Sequence, residues 1–144
     1  MTERIILSVA ALSLLALTYR KSDSLTFLLT SGLAVGILLT WAGISTLLTV
    51  GAVIYMLTAL SISLTNLKNR GLSRLNRATL VLSGIVAFVA NLFSLMHWPY
   101  ASEIGLLPVF PLILYLISLF NGMLKRKEIG YLTILNLEFL LRII

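Results

Sequence analysis

The sequence predicts an all-α fold, a polytopic membrane helical bundle that occupies the whole chain as a single domain. Of its 144 residues, 59% are hydrophobic and 11% are charged, whereas soluble domains carry about 25% charged residues. A water-soluble fold of this size has no means of burying so much apolar surface, so the composition favours the bilayer as solvent. The formal net charge of +6 comes from short basic clusters between apolar stretches, which indicates membrane topology rather than nucleic-acid binding.

The first three predicted spans lie before residue 67. Residues 5–19 form a short apolar stretch, and the absence of a small-residue cleavage site before Arg20 favours a retained helix over a signal peptide. Residues 25–66 carry no charge, and as one helix they would be about 63 Å long, twice the hydrocarbon thickness. We therefore predict a hairpin with spans at 25–41 and 46–66 and a turn around Gly43.

Two further spans and a terminal helix are predicted after a basic loop. The span at 78–98 ends before Pro99, where helical geometry is disfavoured, and the next span covers 106–124. In the C-terminal segment, 129–144, Glu138 and Arg142 are four residues apart and share a helix face. We expect an amphipathic helix lying on the membrane, with a sixth span as the alternative. The expected count is five spans, within a range of four to six.

Charge asymmetry predicts the orientation of the bundle. Two loops hold most of the basic residues and are expected to be cytoplasmic, whereas the 41–45 turn and the 99–105 loop carry none. The basic residues of the two loops are Lys68, Arg70, Arg74 and Arg77, followed by Lys125, Arg126 and Lys127.

Small residues predict where helices approach closely. Gly32 and Gly36 form a GxxxG pair that Thr40 extends, which favours either packing within the chain or contact with a second copy. We prefer packing within the chain, with the facing surface supplied by Gly51, or by Ser83 and Ala87. Asn91 is expected to donate a hydrogen bond to a neighbouring helix.

Polar residues within the predicted spans are mostly hydroxyls. Thr49 and Ser61 belong to a hydroxyl-rich first hairpin, which is suited to a hydrated pathway or to bonds with helix backbone. Residues 25–66, 78–95 and 106–124 hold no aspartate, glutamate, lysine, arginine or histidine, which disfavours an ion-coupled transporter.

The turn after residue 96 is the other candidate site. It is predicted to cap the bundle in the periplasmic headgroup zone, where aromatic residues are favoured. The chain has one histidine and no cysteine, so no metal site and no cofactor are expected. The residues of this interface turn are His97, Trp98, Pro99, Tyr100 and Glu103.

Residues 93–101 read Phe-Ser-Leu-Met-His-Trp-Pro-Tyr-Ala. This segment resembles the FKxMHWPGA signature of the GldL-like inner-membrane subunit of the gliding-motility and type IX secretion motor, with Ser94 in place of its lysine and Tyr100 in place of its glycine. The resemblance covers the 78–124 hairpin and implies a bacterial inner-membrane location. The stretch from Leu106 to Phe120 lacks the glutamate of that family's second helix, and the family's cytoplasmic domain is missing, so the resemblance argues against a force-generating motor.

These observations favour a non-enzymatic scaffold or accessory subunit, whose partners are the lipid bilayer and either another membrane protein or further copies of itself. The first alternative is a small oligomeric pore or transporter for an uncharged or weakly polar solute. The second is a lipid-modifying enzyme that uses His97 and Glu103 as acid and base.

The predicted orientation is tested by single cysteines, since the chain has none of its own. With Ala101→Cys, the thiol is expected to react with an impermeant maleimide added outside the cell. With Ser73→Cys, labelling is expected only after the membrane is opened. Labelling of Ser73→Cys in intact cells would show that the protein has the opposite orientation.

Overall fold

The computed structural model describes residues 2–21, 23–41, 44–97, 104 and 106–143. Within these residues the chain is all-helical, with six α-helices, one short 3-10 helix and no strand. The α-helices are α1 (Thr2–Lys21), α2 (Ser24–Leu39), α3 (Ser45–Leu67), α4 (Arg74–Met96), α5 (Val109–Phe120) and α6 (Ile129–Ile143), and the 3-10 helix is Met123–Lys125. The all-helical class that the composition predicts is confirmed.

Two of the helices are long and apolar enough to cross a membrane. Helices α3 and α4 have 23 residues each, a length of about 35 Å that exceeds the hydrocarbon core. Helices α2 and α5 are apolar but have only 16 and 12 residues. The structure is therefore a helical bundle with two candidate membrane-spanning helices.

Local capping sets several helix ends. The side chain of Asp23 accepts hydrogen bonds from the backbone N–H and the hydroxyl of Thr26, which fixes the start of α2. Ser73 Oγ accepts from Asn76 N at 3.2 Å, so α4 begins before the predicted residue 78. As a correction, Arg74 and Arg77 lie in the first turn of this helix rather than in a loop.

Helix α6 lies at the centre of the bundle. Successive helices pack against each other from α1 to α6, and α6 also contacts α1, α2 and α4. Tyr131 is 2% exposed, and Leu132, Leu135 and Phe139 are fully buried.

The predicted amphipathic helix at the C-terminus packs against four other helices of the bundle. Glu128, just before α6, and Asn136 within it are 5% and 1% exposed, whereas Arg142 near the end of α6 is exposed. The polar side of α6 forms hydrogen bonds with neighbouring helices. The sequence pattern alone does not distinguish such a helix from one that lies at the membrane interface.

Close packing of α2 on α3 depends on two glycines. A methyl group on Gly36 would lie 2.9 Å from Cβ of Tyr55 and 3.0 Å from the carbonyl oxygen of Gly51. A methyl group on Gly51 would lie 2.7 Å from the carbonyl oxygen of Gly36. Backbones this close leave no room for a side chain. Gly32 meets Thr58 on the same interface, so the small-residue face of α2 is used within the chain.

The helix ends gather into two groups. At one end, which we call the basic end, helices α1, α3 and α5 end and helices α2, α4 and α6 begin. The contacts of Asp23 with Lys127 and of Asn76 with Asn121 show that these helix ends lie together. The predicted basic loops lie at this end. The opposite end, named the cavity end, holds the starts of α1, α3 and α5, and Trp41 Nε1 donates to Ser8 Oγ there at 2.7 Å.

An ion pair at the basic end ties the α1–α2 connection to the segment before α6. Hydrogen bonds from Lys127 and then Thr26 lower the pKa of Asp23 to about 2, and the bond to Asp23 raises the pKa of Lys127. Both side chains are about half exposed (47% for Lys127 and 48% for Asp23), so this pair adds little stability.

Replacing Gly51 by alanine is expected to destabilise the protein by about 1–3 kcal/mol, because the new methyl group forces α2 and α3 apart. The measurement is thermal unfolding in mild detergent, with Gly71→Ala as the matched control. Gly71 is exposed, and its added methyl group would meet only Asn69 Oδ1 at 3.4 Å. Equal melting temperatures for the two variants would contradict the close α2–α3 contact.

Candidate functional site: a charged cavity at one end of the bundle

A cavity of about 600 Å³ opens at the cavity end, between the starts of α1 and α3 and the ends of α2, α4 and α6. This volume lies within the range of small-molecule sites, about 300–1,000 Å³. Its polar lining residues are Glu3, Arg4, Thr40, Ser45, Thr49, Tyr55, Asn91, Ser94, His97, Glu138 and Arg142. Its apolar lining residues, apart from Gly36, are Leu7, Ile37, Leu48, Ala52, Leu95 and Leu141.

Glu138 is the centre of the polar group in this cavity. Its side chain is 12% exposed. One carboxylate oxygen accepts from Asn91 Nδ2 at 3.2 Å and from Arg142 Nε at 2.9 Å. The other oxygen accepts from the hydroxyl of Tyr55. A single carboxylate therefore links α3, α4 and α6.

Arg142 is held on two sides. Its Nη2 atom donates to Asn91 Oδ1 at 2.6 Å and lies 2.7 Å from Glu138 Oε1. The guanidinium group has five N–H donors in a fixed plane. Those on Nη1 donate to none of the described residues, and the side chain remains 30% exposed. The ion pair thus orients the guanidinium, and none of the described residues accepts a hydrogen bond from its Nη1 side.

The network extends from inside the bundle, at Tyr55 and Asn91, to the end of α6, where Arg142 is exposed. Tyr55 comes ten residues after the start of α3 at Ser45, and Asn91 comes five residues before the end of α4 at Met96. At 1.5 Å per residue, these positions are about 15 Å and 8 Å from the helix ends. Toward the basic end the bundle is closed by Ile62, Leu132 and Leu135, which are fully buried.

Other polar residues fix α6 along its length. Tyr131 OH accepts from Asn66 Nδ2 at 3.1 Å, and Asn136 Nδ2 donates to Ser83 Oγ at 3.3 Å. The hydroxyl groups of Thr133 and Tyr115 are 2.9 Å apart. Each contact joins α6 to a different helix, so rotation of α6 about its axis would break all of them.

The residues predicted for packing fall mainly in two places. Gly36, Thr40 and Asn91 line the cavity, and Asn91 bonds across to α6. Ser83 and Ala87 are fully buried on the inner face of α4.

His97 is the described part of the predicted interface turn. It caps α4 in the left-handed conformation, with φ of 49°, and lines the cavity as an exposed residue. Trp98, Pro99, Tyr100 and Glu103 lie outside the described residues. The described residues contain no cluster of three or more histidine, aspartate or glutamate side chains with the geometry of a metal site.

The hydroxyls of the first hairpin mostly bond the backbone of their own helix. Thr49 donates to Ser45 O at 3.0 Å, and Ser61 donates to Leu57 O at 2.8 Å. Of these two, only Thr49 lines the cavity.

Tyr55, Glu138 and Arg142 were not predicted as site residues. The four-residue spacing of Glu138 and Arg142 was visible in the sequence, but it has the same form in a surface helix. Tyr55 gives no local signal, because its partner is 83 positions away.

Comparison of this chain with protein-family models, with curated proteins and with solved structures gives no match. The cavity and its charges are therefore the basis for a functional argument.

Neutral substitutions at Glu138 and Arg142 test the hydrogen-bond network. Glu138→Gln and Arg142→Gln are each expected to lower the free energy of unfolding by about 1–3 kcal/mol, since each leaves a partly buried charge without its partner. The double variant is expected to lose less than the sum, with coupling of about 1–2 kcal/mol.

The matched control is the same cycle with Asp23→Asn and Lys127→Gln. Coupling there is expected to be at most about 1 kcal/mol, because that pair is exposed. Additive losses at Glu138 and Arg142 in chemical denaturation would show that the two side chains do not interact in the folded protein.

Proposed function

We propose that this chain is a non-enzymatic, multi-pass protein of the bacterial inner membrane that binds a small solute in the cavity, which opens to the outer face. The observation that supports this most is the cavity itself, in which a positioned ion pair lies beside an apolar wall. Such a combination is typical of small-molecule sites, where a few polar groups orient the ligand.

Exposed apolar residues support the membrane location. Large side chains are exposed on helices all round the bundle, including Leu17 at 66%, Leu28 at 66% and Phe110 at 71%. In water such a surface promotes association, whereas lipid tails cover it without cost. Since α6 runs through the bundle centre, we propose that it joins the membrane-embedded helices, which favours six such helices over the expected five.

A carrier or receptor fits the cavity better than a pore through one chain. The cavity is open at one end, and toward the basic end the centre is packed with fully buried side chains such as Ile62 and Leu132. Passage of a solute would therefore require α6 or its neighbours to move. The small-residue face that suggested oligomeric assembly is occupied by the α2–α3 contact, which weakens the argument for an oligomeric pore.

Cysteine accessibility tests the proposal. Ala52→Cys places a thiol on the cavity wall, and we expect it to react with a small impermeant methanethiosulfonate reagent added outside the cell. Ser73→Cys, at the basic end, is the control and is expected to react only from inside. An Ala52→Cys thiol that is unreactive from the outer face, in a protein that melts normally, would contradict an outward-open cavity.

An accessory-subunit role is the second candidate, favoured by α5. Among its residues only Pro111 and Ser118 are buried, whereas Phe110 and Phe120 are 71% and 94% exposed. A partner helix or lipid would cover this aromatic face. Co-purification of another membrane protein in fixed ratio from the native membrane would support this role. A purified particle that contains a single copy of this chain and no other protein would contradict it.

A further inference from the structure

We propose that the ligand of this cavity is an anionic amphiphile, whose carboxylate or phosphate head binds Arg142 and whose apolar tail lies along the cavity wall. This inference rests on the proposed function, because it assumes that the cavity is a binding site. It assigns the chemical class of the ligand. Three features of the cavity support this assignment.

The first feature is the prepared guanidinium. Glu138 and Asn91 engage Nε and Nη2 of Arg142, and its Nη1 donates to none of the described residues. An arginine fixed in this way loses little side-chain freedom when it binds an anion. The N–H groups of its Nη1 atom can donate charge-assisted hydrogen bonds to a carboxylate or phosphate oxygen.

The second feature is the balance of charge. Glu138 already accepts hydrogen bonds from Tyr55, Asn91 and Arg142, so its carboxylate has little capacity left for a cationic ligand. Glu3 and Arg4 are exposed neighbours on α1, and their opposite charges balance each other at the cavity mouth. The inner charge with donors still available is therefore positive.

The third feature is the apolar wall. Leu7, Ile37, Leu48, Leu95 and Leu141 come from five different helices and line the same cavity as Arg142. A small hydrophilic anion would leave this wall in contact with water, whereas an acyl or alkyl chain would cover it. The affinity should then grow with tail length, which a simple anion site does not predict.

The ligand has two sources with the same chemistry. One is an anionic phospholipid of the surrounding bilayer, and the other is a free fatty acid or alkyl phosphate from the outer compartment. Both present an anionic head above an apolar chain, so they are separated by experiment rather than by the geometry of the site.

The test uses the full chain in phosphatidylcholine nanodiscs, with isothermal titration of four probes: acetate, decanoate, decanol and decyltrimethylammonium. Decanoate is expected to bind above its partition into empty nanodiscs, and the other three are not. Arg142→Gln is expected to weaken decanoate binding by about tenfold or more, the loss expected for a charge-assisted hydrogen bond. Arg126→Gln, an exposed arginine at the basic end, is the control and should bind as the wild type does.

A second variant covers the case in which Arg142→Gln unfolds. Ala52→Phe fills the cavity without changing the ion pair and is expected to abolish decanoate binding, with thermal unfolding confirming a folded chain. Native mass spectrometry from nanodiscs that contain phosphatidylglycerol distinguishes the sources, because retention of that lipid by wild type but not by Ala52→Phe would assign the bilayer lipid.

The outcomes separate this inference from the proposed function. If decanol and decyltrimethylammonium bind as well as decanoate and Ala52→Phe blocks all three, the cavity is a binding site but its ligand is not selected by charge, and the inference is overturned. If acetate binds as tightly as decanoate, the tail has no role and the amphiphile is also overturned. If no probe binds and the Ala52→Cys thiol is unreactive, the proposed function fails as well.

Discussion

The hydrogen bonds that α6 makes with its neighbours are the interactions on which the rest of the structure depends. Lipid tails are as apolar as leucine, so burial alone does not hold helices together in a bilayer, and close packing and polar contacts decide their arrangement. Tyr131, Asn136 and Glu138 bond Asn66, Ser83 and Tyr55, and these contacts fix the rotation of α6. The close contact of Gly36 with Gly51 likewise fixes how α2 packs against α3.

The position of α6 also creates the cavity. Glu138 and Arg142 would be exposed charges on a surface helix, but in the bundle they lie between α3 and α4 and line a space of about 600 Å³. An ionisable pair at this depth has a cost in desolvation that apolar residues would avoid. Its hydrogen bonds to Tyr55 and Asn91 offset part of that cost, and the remaining donors of Arg142 are the basis of the proposed anion binding.

The two ends of the bundle have different chemistry. The basic end carries exposed lysines and arginines and one solvent-exposed ion pair, Asp23 with Lys127, which suits contact with water and anionic headgroups. The cavity end holds the Glu138–Arg142 ion pair beside leucine and isoleucine side chains, and the exposed Glu3 and Arg4 lie at the cavity mouth. The described residues form an open cavity at the cavity end, whereas at the basic end they form a charged surface above a closed core. This asymmetry is the basis of our proposal that a ligand enters the cavity from one side of the membrane.

The sequence by itself determined the helical class, the approximate positions of α1 to α4 and the separation of basic loops from loops without basic residues. These follow from local properties: the length of apolar stretches, the position of Pro99, and the distribution of lysine and arginine. Tertiary structure decided the position of α6, the pairing of Gly36 with Gly51 and the existence of the cavity. The physical reason is that a helix with one polar face satisfies its hydrogen bonds equally well at a headgroup surface or against other helices. Only the partners, Tyr55 and Asn91 on distant parts of the chain, select between the two.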